Sequence, residues 1–334
     1  MQTSRRSILK GSILASLAGT MGATAMSASA AEKQAALPKK EYDLVICGLG
    51  IGGIVTAIRA AQDGLKPVIL EKMSSASGNT IYSAGFMLGV NTKMQQEKKL
   101  ETGDTVDKFY EDMMKVSQGR GDPKLTRLVA EKADETLNWL HDYVGVKYAV
   151  GMKLVWPMLQ RAHLTIGEKK PGGTQLMLYL LAKAKELNVP IVYNAKAVEL
   201  LDNPQNGKVI GVKVKSKEGF EEYFGKYGVV MASGGFSANK MMLTMMAGVP
   251  AANMPVRGSH SVTGESILLT GPYFPKVVNV DQYHCGPIHG PTGGNPLNIV
   301  NTGIAVSKET KRYTDEGKTY VQMSRDLSLI HISE

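Results

Sequence analysis

From residue 43 onward the chain alternates short apolar runs, glycine-rich turns and segments with apolar residues every three or four positions, the pattern of strands feeding helices. Residues 43–47 read as a buried strand. Residues 51–63 set Ile54, Ala57, Ile58 and Ala61 on one helical face, and Gly64 ends that helix before a second apolar strand at 67–70. Helical spacing recurs at 105–116, 124–142 and 175–187, with Asp122-Pro123 as cap and first-turn proline. Trp139, Leu140 and Tyr143 fall on one side of the second of these and read as core. Strands alternate at 191–194, 198–201, 209–215, 220–224 and 228–231, with Asn206-Gly207 as a hairpin turn. These five are expected to form an antiparallel insert within an α/β domain.

Between the first strand and the first helix stands Gly48-Leu49-Gly50-Ile51-Gly52-Gly53, which contains G-x-G-x-x-G. Gly48 permits a tight turn, Gly50 lets backbone approach a pyrophosphate, and Gly53 lets helix and strand pack closely, with the helix N-terminus facing the anion. Glu71, at the end of the second strand, stands about 20 residues beyond the turn, where a carboxylate accepts hydrogen bonds from ribose hydroxyls. Glycines also gather in ordinary turns. Strand, turn, helix, strand and terminal acid in this order favour a dinucleotide, and leave FAD and NAD as alternatives.

The N-terminus adds a different signal. Arg5-Arg6 precede a run of small and apolar residues over 11–26, and Ala28-Ser29-Ala30 follows as a cleavage site, so residues 1–30 read as a twin-arginine export signal and 31–40 as a linker. A membrane anchor needs about 20 strongly apolar residues, more than this run supplies. The formal charge is +9, and removal of a leader carrying Arg5, Arg6 and Lys10 lowers it by three to +6. That excess suits an anionic substrate or a scatter of solvated lysines; with no basic cluster interleaved with aromatics, a nucleic-acid partner is not expected. Two cysteines, Cys47 and Cys285, imply no disulfide framework. His284, Cys285 and His289 lack a fourth ligand at a zinc spacing, so no metal is expected. The 18 methionines read as adaptable core packing.

Ser77-Gly78-Asn79-Thr80-Ile81-Tyr82-Ser83-Ala84-Gly85, then Ala232-Ser233-Gly234-Gly235-Phe236 at the end of an apolar strand, give the chain a specific resemblance. It resembles the flavoprotein subunits of fumarate reductases and succinate dehydrogenases, in particular the soluble exported members. The resemblance implies FAD, held without a covalent bond because Asn79 stands where membrane-bound members carry the flavin-linked histidine. Its cofactor-binding residues would be Gly48, Gly50, Gly53, Glu71, Lys72, Asn79, Thr80, Ala84, Gly85, Ala232, Gly234 and Gly235. Thr263-Gly264-Glu265-Ser266 is similar to a flavin-contacting turn of the family but has Glu for Asp and Ser for Gly. Arg161 and His163 are similar to an R-x-H segment near flavin and substrate; a surface arginine and a capped histidine are equally compatible with the residues.

At the substrate end, Gln282-Tyr283-His284 resembles a Q-x-H motif whose histidine holds a substrate carboxylate, and Ser324-Arg325-Asp326 resembles a motif whose arginine delivers a proton. His284 and Arg325 are the expected catalytic residues. Leu297 and Val300 stand where fumarate-reducing members carry a Glu and an Arg of the proton relay, which leaves the acid open. The family's cap domain continues beyond this motif, and residues 329–334 resemble translated sequencing adapter, so a C-terminally truncated chain that binds FAD weakly is expected. The expected architecture is a Rossmann-like FAD-binding domain with an antiparallel β insert over 41–280 and the start of an α+β capping domain over 281–334. The expected function is an exported, periplasmic FAD-dependent reductase of a small unsaturated carboxylate, fed by a separate cytochrome or flavin-carrying donor, with no membrane span after leader removal. The alternatives are a 3-ketosteroid dehydrogenase-like flavoenzyme and a non-catalytic flavin-binding fragment.

Overall fold

The computed structural model describes residues 37–100, 102–154, 156–168, 171–286, 303–317 and 319–330. The export signal lies outside the described residues. The first half of the chain runs through β1 (Lys39–Tyr42), β2 (Leu44–Cys47), α1 (Ile51–Gln62), β3 (Pro67–Leu70), α2 (Asn79–Tyr82), β4 (Phe86–Leu88) and α3 (Lys93–Glu97). Next come α4 (Val106–Val116) and α5 (Pro123–Trp139), which continues as a π turn over Leu140–Val144, then β5 (Lys147–Ala149) and β6 (Ala162–Ile166). The second half holds α6 (Gly173–Glu186), β7 (Ile191–Val192), β8 (Lys196–Asp202), β9 (Val209–Lys215), β10 (Phe220–Gly225), β11 (Val229–Met231), α7 (Lys240–Ala247), α8 (Val249–Asn253), α9 (Glu265–Thr270) and α10 (Tyr320–Ile330).

The central sheet is parallel, in the order β11-β2-β3-β7. Its strands are apolar on both faces because both are covered. Ile46 and Ile69 face one way, onto Ile54, Ala57 and Ile58 of α1 and Leu176 and Leu180 of α6. Val45, Cys47, Val68 and Leu70, at alternate positions, face the other way, onto Val212, Val214 and Tyr223 of the second sheet. Each fully buried Val or Ile here contributes on the order of 1.5–3 kcal/mol. Trp139 and Tyr143 pack at the edge of the helical core with rings stacked 5.7 Å apart, and Leu140 is buried beside them.

The second sheet has the order β1-β10-β9-β8 and is antiparallel except for β1, which pairs parallel to β10. Two expectations are corrected here. The segments at 191–194 and 228–231 are not part of the insert: β7 and β11 join the parallel sheet, where their apolar side chains find cover. Lys39 and Lys40, expected in a linker, belong to β1, because β10 offers a free edge and Lys40 Nζ reaches Glu221 Oε1 (3.0 Å) and Tyr223 OH (3.1 Å). A third sheet, β4-β6-β5, was not anticipated; its strands of three to five residues are too short for a visible alternation.

Candidate functional site

The chain leaves β2 at Cys47 and turns sharply at Gly48, whose φ is +112°. A Cβ at Gly48 would lie 2.5 Å from the Ala232 carbonyl oxygen, so only glycine admits the end of β11 this close. A Cβ at Gly53 would lie 2.0 Å from Gly48 O, the contact that seats α1 on the turn. Side chains fix the turn from behind. Glu71, buried at the end of β3, accepts from Leu49 N–H (2.9 Å) and Met73 N–H (2.8 Å), and Thr80 Oγ1 accepts from Ile51 N–H (3.0 Å). Thr80 takes the Ile51 N–H, but the N-cap Gly50 has no side chain to cap the remaining N–H groups and the first turn of α1 carries no acid, the condition in which a helix N-terminus attracts an anion.

These elements wall a groove of about 410 Å³. Gly48, Gly50, Glu71, Lys72, Asn79, Thr80, Ala232 and Gly234 all line it, so both glycine segments meet in one place. Four expected cofactor residues do not line it. Gly53 packs α1 on the turn, Ala84 and Gly85 pack against Gly172 at the start of α6, and a Cβ at Gly235 would meet nothing within 4 Å. The far wall was legible only as a weak motif. Lys72 Nζ donates to Glu265 Oε1 (2.6 Å) and Thr263 Oγ1 (2.9 Å), and Ser266 Oγ stands 2.7 Å from Ser233 Oγ. Burial pushes the Glu265 carboxyl up, but hydrogen bonds from Lys72 and Thr263 outweigh it and hold the group below its ordinary value. Glu265 Oε2 is buried at the groove wall with no hydrogen-bond partner among the described residues, an acceptor left over for a ligand. Ser261, 2.9 Å from Ser77 Oγ, and Ala195 to Ala197 at the start of β8 are lining residues that no sequence motif marked. Cys47 also lines the groove, and burial pushes its thiol up to about 12, which makes it packing rather than chemistry.

Arg161 is not the surface arginine that one alternative expected, whereas His163 is hydrogen-bonded through both ring nitrogens. Both are fully buried in the third sheet region, and neither lines the groove. Arg161 is neutralised by Asp104 (Nε to Oδ2, 2.5 Å) and Asp112 (Nη1 to Oδ2, 2.7 Å), with its guanidinium 5.0 Å from the Phe109 ring centroid. His163 Nδ1–H donates to Arg161 O (2.8 Å), which leaves Nε2 to accept from Thr92 Oγ1 (2.7 Å); burial holds the ring's pKa below its ordinary value.

At the substrate end the two expected catalytic motifs come together. The Arg325 guanidinium, on α10, lies 4.9 Å from the Tyr283 ring centroid, donates to Tyr283 O (2.8 Å) and reaches Gln282 Oε1 from both Nη atoms (3.3 Å each). His284 is exposed at this point, and desolvation of its ring followed by the Arg257 and Arg325 cations lowers its pKa. With the ring this open to water, the two cations are the stronger ground for a neutral His284. Neither His284 nor Arg325 lines the groove. The link between the two regions is Arg257-Gly258-Ser259: Ser259 N–H donates to Asn79 Oδ1 (2.9 Å), while the Arg257 cation acts on His284 through its charge. His289, Leu297 and Val300 lie outside the described residues, among which no three His, Cys, Asp or Glu side chains cluster to hold a metal. Among the described residues no helix is long and apolar enough to cross a membrane.

Fold and groove together define a dinucleotide-binding α/β protein. Residues 43–271 match the family model for an FAD binding domain, and the chain belongs to that family. It is similar to the fumarate reductase (cytochrome) of Shewanella frigidimarina, 26% identical over 300 residues that make up 85% of this chain and 50% of the relative. It is also similar to the urocanate reductase of Eggerthella lenta, 28% identical over 291 residues, 83% of this chain and 46% of the relative. Among solved structures, a 3-ketosteroid-Δ4-(5α)-dehydrogenase from Rhodococcus jostii RHA1 superposes with a TM-score of 0.74 at 25% identity, covering 89% of this chain and 67% of that one. The chain spans about half the length of the curated relatives it matches. FAD is the cofactor of this family, and the acid-free helix N-terminus, the side-chain-free turn and the leftover Glu265 acceptor fit it.

Proposed function

We propose that the protein is the FAD-binding part of an exported reductase that saturates the C=C bond of a small unsaturated carboxylate. The observation that carries this reading is the meeting of the Q-x-H and Arg325 motifs, joined through Arg257 to Ser259 to the rim of a groove built by two glycine segments. In this reading residues 41–280 form the FAD-binding domain and 281 onward begins a cap over the substrate. When bound, FAD supplies the hydride chemistry. The groove backbone at Gly48, Gly50, Ala232 and Gly234 takes the cofactor's phosphates and sugar, Glu71 its ribose, and Lys72 and Glu265 fix the groove's far wall.

Neutral His284 donates a hydrogen bond to the substrate carboxylate, and the Arg257 and Arg325 cations stabilise negative charge as it develops on the substrate. Arg325 then gives a proton to the substrate carbon. An arginine, with a pKa of roughly 12.5–13.8, releases a proton only to a strongly basic centre and must be recharged at once. Leu297 and Val300 supply no ionisable side chain for that step. A fumarate-specific route is therefore not built in, and urocanate or another unsaturated acid is an equal candidate. Electrons come from a separate cytochrome or flavin-carrying donor.

The dehydrogenase superposition supports a second reading, hydrogen removal from a steroid ring. Anaerobic turnover decides between them. Reduced viologen dye should be oxidised by fumarate, urocanate or acrylate with the flavin-loaded protein, and Arg325→Ala should abolish it. Turnover of a 3-ketosteroid with none of the acids would replace the first reading by the second.

A further inference from the structure

The turn that begins the substrate end is tied to a part of the chain some 160 residues earlier. Gln282 N–H closes the turn on Asn279 O (3.0 Å), and Asn279 adopts φ +54°, a conformation asparagine tolerates. Asn279 Nδ2 donates to the backbone oxygen of Arg120, between α4 and α5, at 2.9 Å. Arg120 in turn grips the Asp281 carboxylate with both terminal nitrogens, Nη1 to Oδ2 at 2.8 Å and Nη2 to Oδ1 at 2.7 Å. The turn is thus anchored at two points. Asp281 Oδ2 also accepts from Gln282 Nε2 at 2.9 Å.

That last bond matters because a carboxamide has one donor end and one acceptor end. With the amide nitrogen committed to Asp281, the Gln282 oxygen turns the other way, where both Nη atoms of Arg325 reach it at 3.3 Å. A flipped amide would set NH₂ against the guanidinium, two donors facing each other. The Arg120–Asp281 pair is itself half open to water, with side-chain exposures of 43% and 48%. An ion pair this exposed adds little to folding stability, so stability does not account for it. We propose that Asp281, clamped by Arg120, is a positioning residue for Arg325: it fixes which end of the Gln282 amide meets the guanidinium. The bonds are read from the geometry; only their kinetic consequence rests on Arg325 being the proton donor.

The test uses the full-length, FAD-loaded protein with ¹⁵N-labelled glutamine side chains. In Asp281→Leu the Gln282 amide signals should shift and lose protection, and kcat for the unsaturated acid should fall about tenfold with KM little changed, the effect of loosening a catalytic group without moving the substrate. Asp281→Asn keeps an acceptor for Gln282 and should retain most of the rate. Arg120→Gln combined with Asp281→Leu should be no worse than Asp281→Leu alone, since both act through one contact. Unchanged Gln282 signals in Asp281→Leu would overturn the proposal, as would shifted signals with an unchanged kcat. If the wild type reduces no unsaturated acid while the signals still shift, the functional reading fails and the orienting contact stands.

Discussion

Gly48 and Gly50 have different work in the motif, and the surroundings of each show why. A methyl at Gly48 meets Ala232 O at 2.5 Å on a backbone held at φ +112°, whereas a methyl at Gly50 comes no nearer than 3.7 Å to any atom, Thr80 Oγ1. Gly48→Ala should therefore lower stability by roughly 1–3 kcal/mol and lose FAD, while Gly50→Ala should melt like the wild type and weaken FAD alone. Thermal melts and flavin titrations of both variants separate the two roles. Glu265 makes a pH prediction. Its folded-state pKa lies below the ordinary 4.5, so its contribution to stability is present above about 4.5 and is lost as pH falls through the lower folded value. Melting curves between pH 3 and 6 should show a steeper acid loss for the wild type than for Glu265→Gln; parallel curves would remove Glu265 from the account. The turn glycines could be read from spacing because backbone geometry demands them there, whereas the bonds of Glu71 to the Leu49 and Met73 N–H groups had no such signal. The Lys72–Glu265 pair could not, since it joins residues 193 apart in sequence.

Among the elements, the parallel strands and α1 were legible because burial on both faces, or along one helical stripe, leaves a continuous signature. β1 was not. Its sequence, Lys39-Lys40-Glu41-Tyr42, carries three charges in four residues, and it is a strand only because β10 gives it an edge to pair with. Its inward side is nevertheless built in: Lys40 bonds Glu221 and Tyr223, and Tyr42 stacks on Tyr223 at 6.3 Å. A chain starting at residue 37 should melt like the full-length protein, while one starting at residue 43 should lose roughly 2–3 kcal/mol through the lost ladder, stacking and ion pair. Equal melting of the two would show that β1 is ornament to the sheet. The third sheet escaped the sequence for another reason. β4, β5 and β6 run only three to five residues each, and the buried His163 on β6 and Arg161 just before it break what apolar alternation strands that short could show.

At the scale of the whole molecule, the helices, the parallel sheet and the second sheet form three layers, and the groove opens where β2, β3 and β11 end. A dinucleotide has to bridge the turn at Gly48 and the wall at Glu71, Lys72 and Glu265. FAD at a hundredfold excess over its Kd should raise stability by about 2.7 kcal/mol, and FMN, which lacks the adenosine half, should raise it far less. Equal shifts in a melting assay would mean that the wall takes no part. One consequence concerns time rather than affinity. Since Glu71 and Thr80 already hold the N–H groups of Leu49 and Ile51 from behind, nothing in that loop has to rearrange when the ligand arrives. In a stopped-flow mixing experiment the quenching of flavin fluorescence should follow a single exponential whose rate climbs in proportion to protein concentration, without levelling off, and Thr80→Val should introduce the plateau that a slow reshaping step produces.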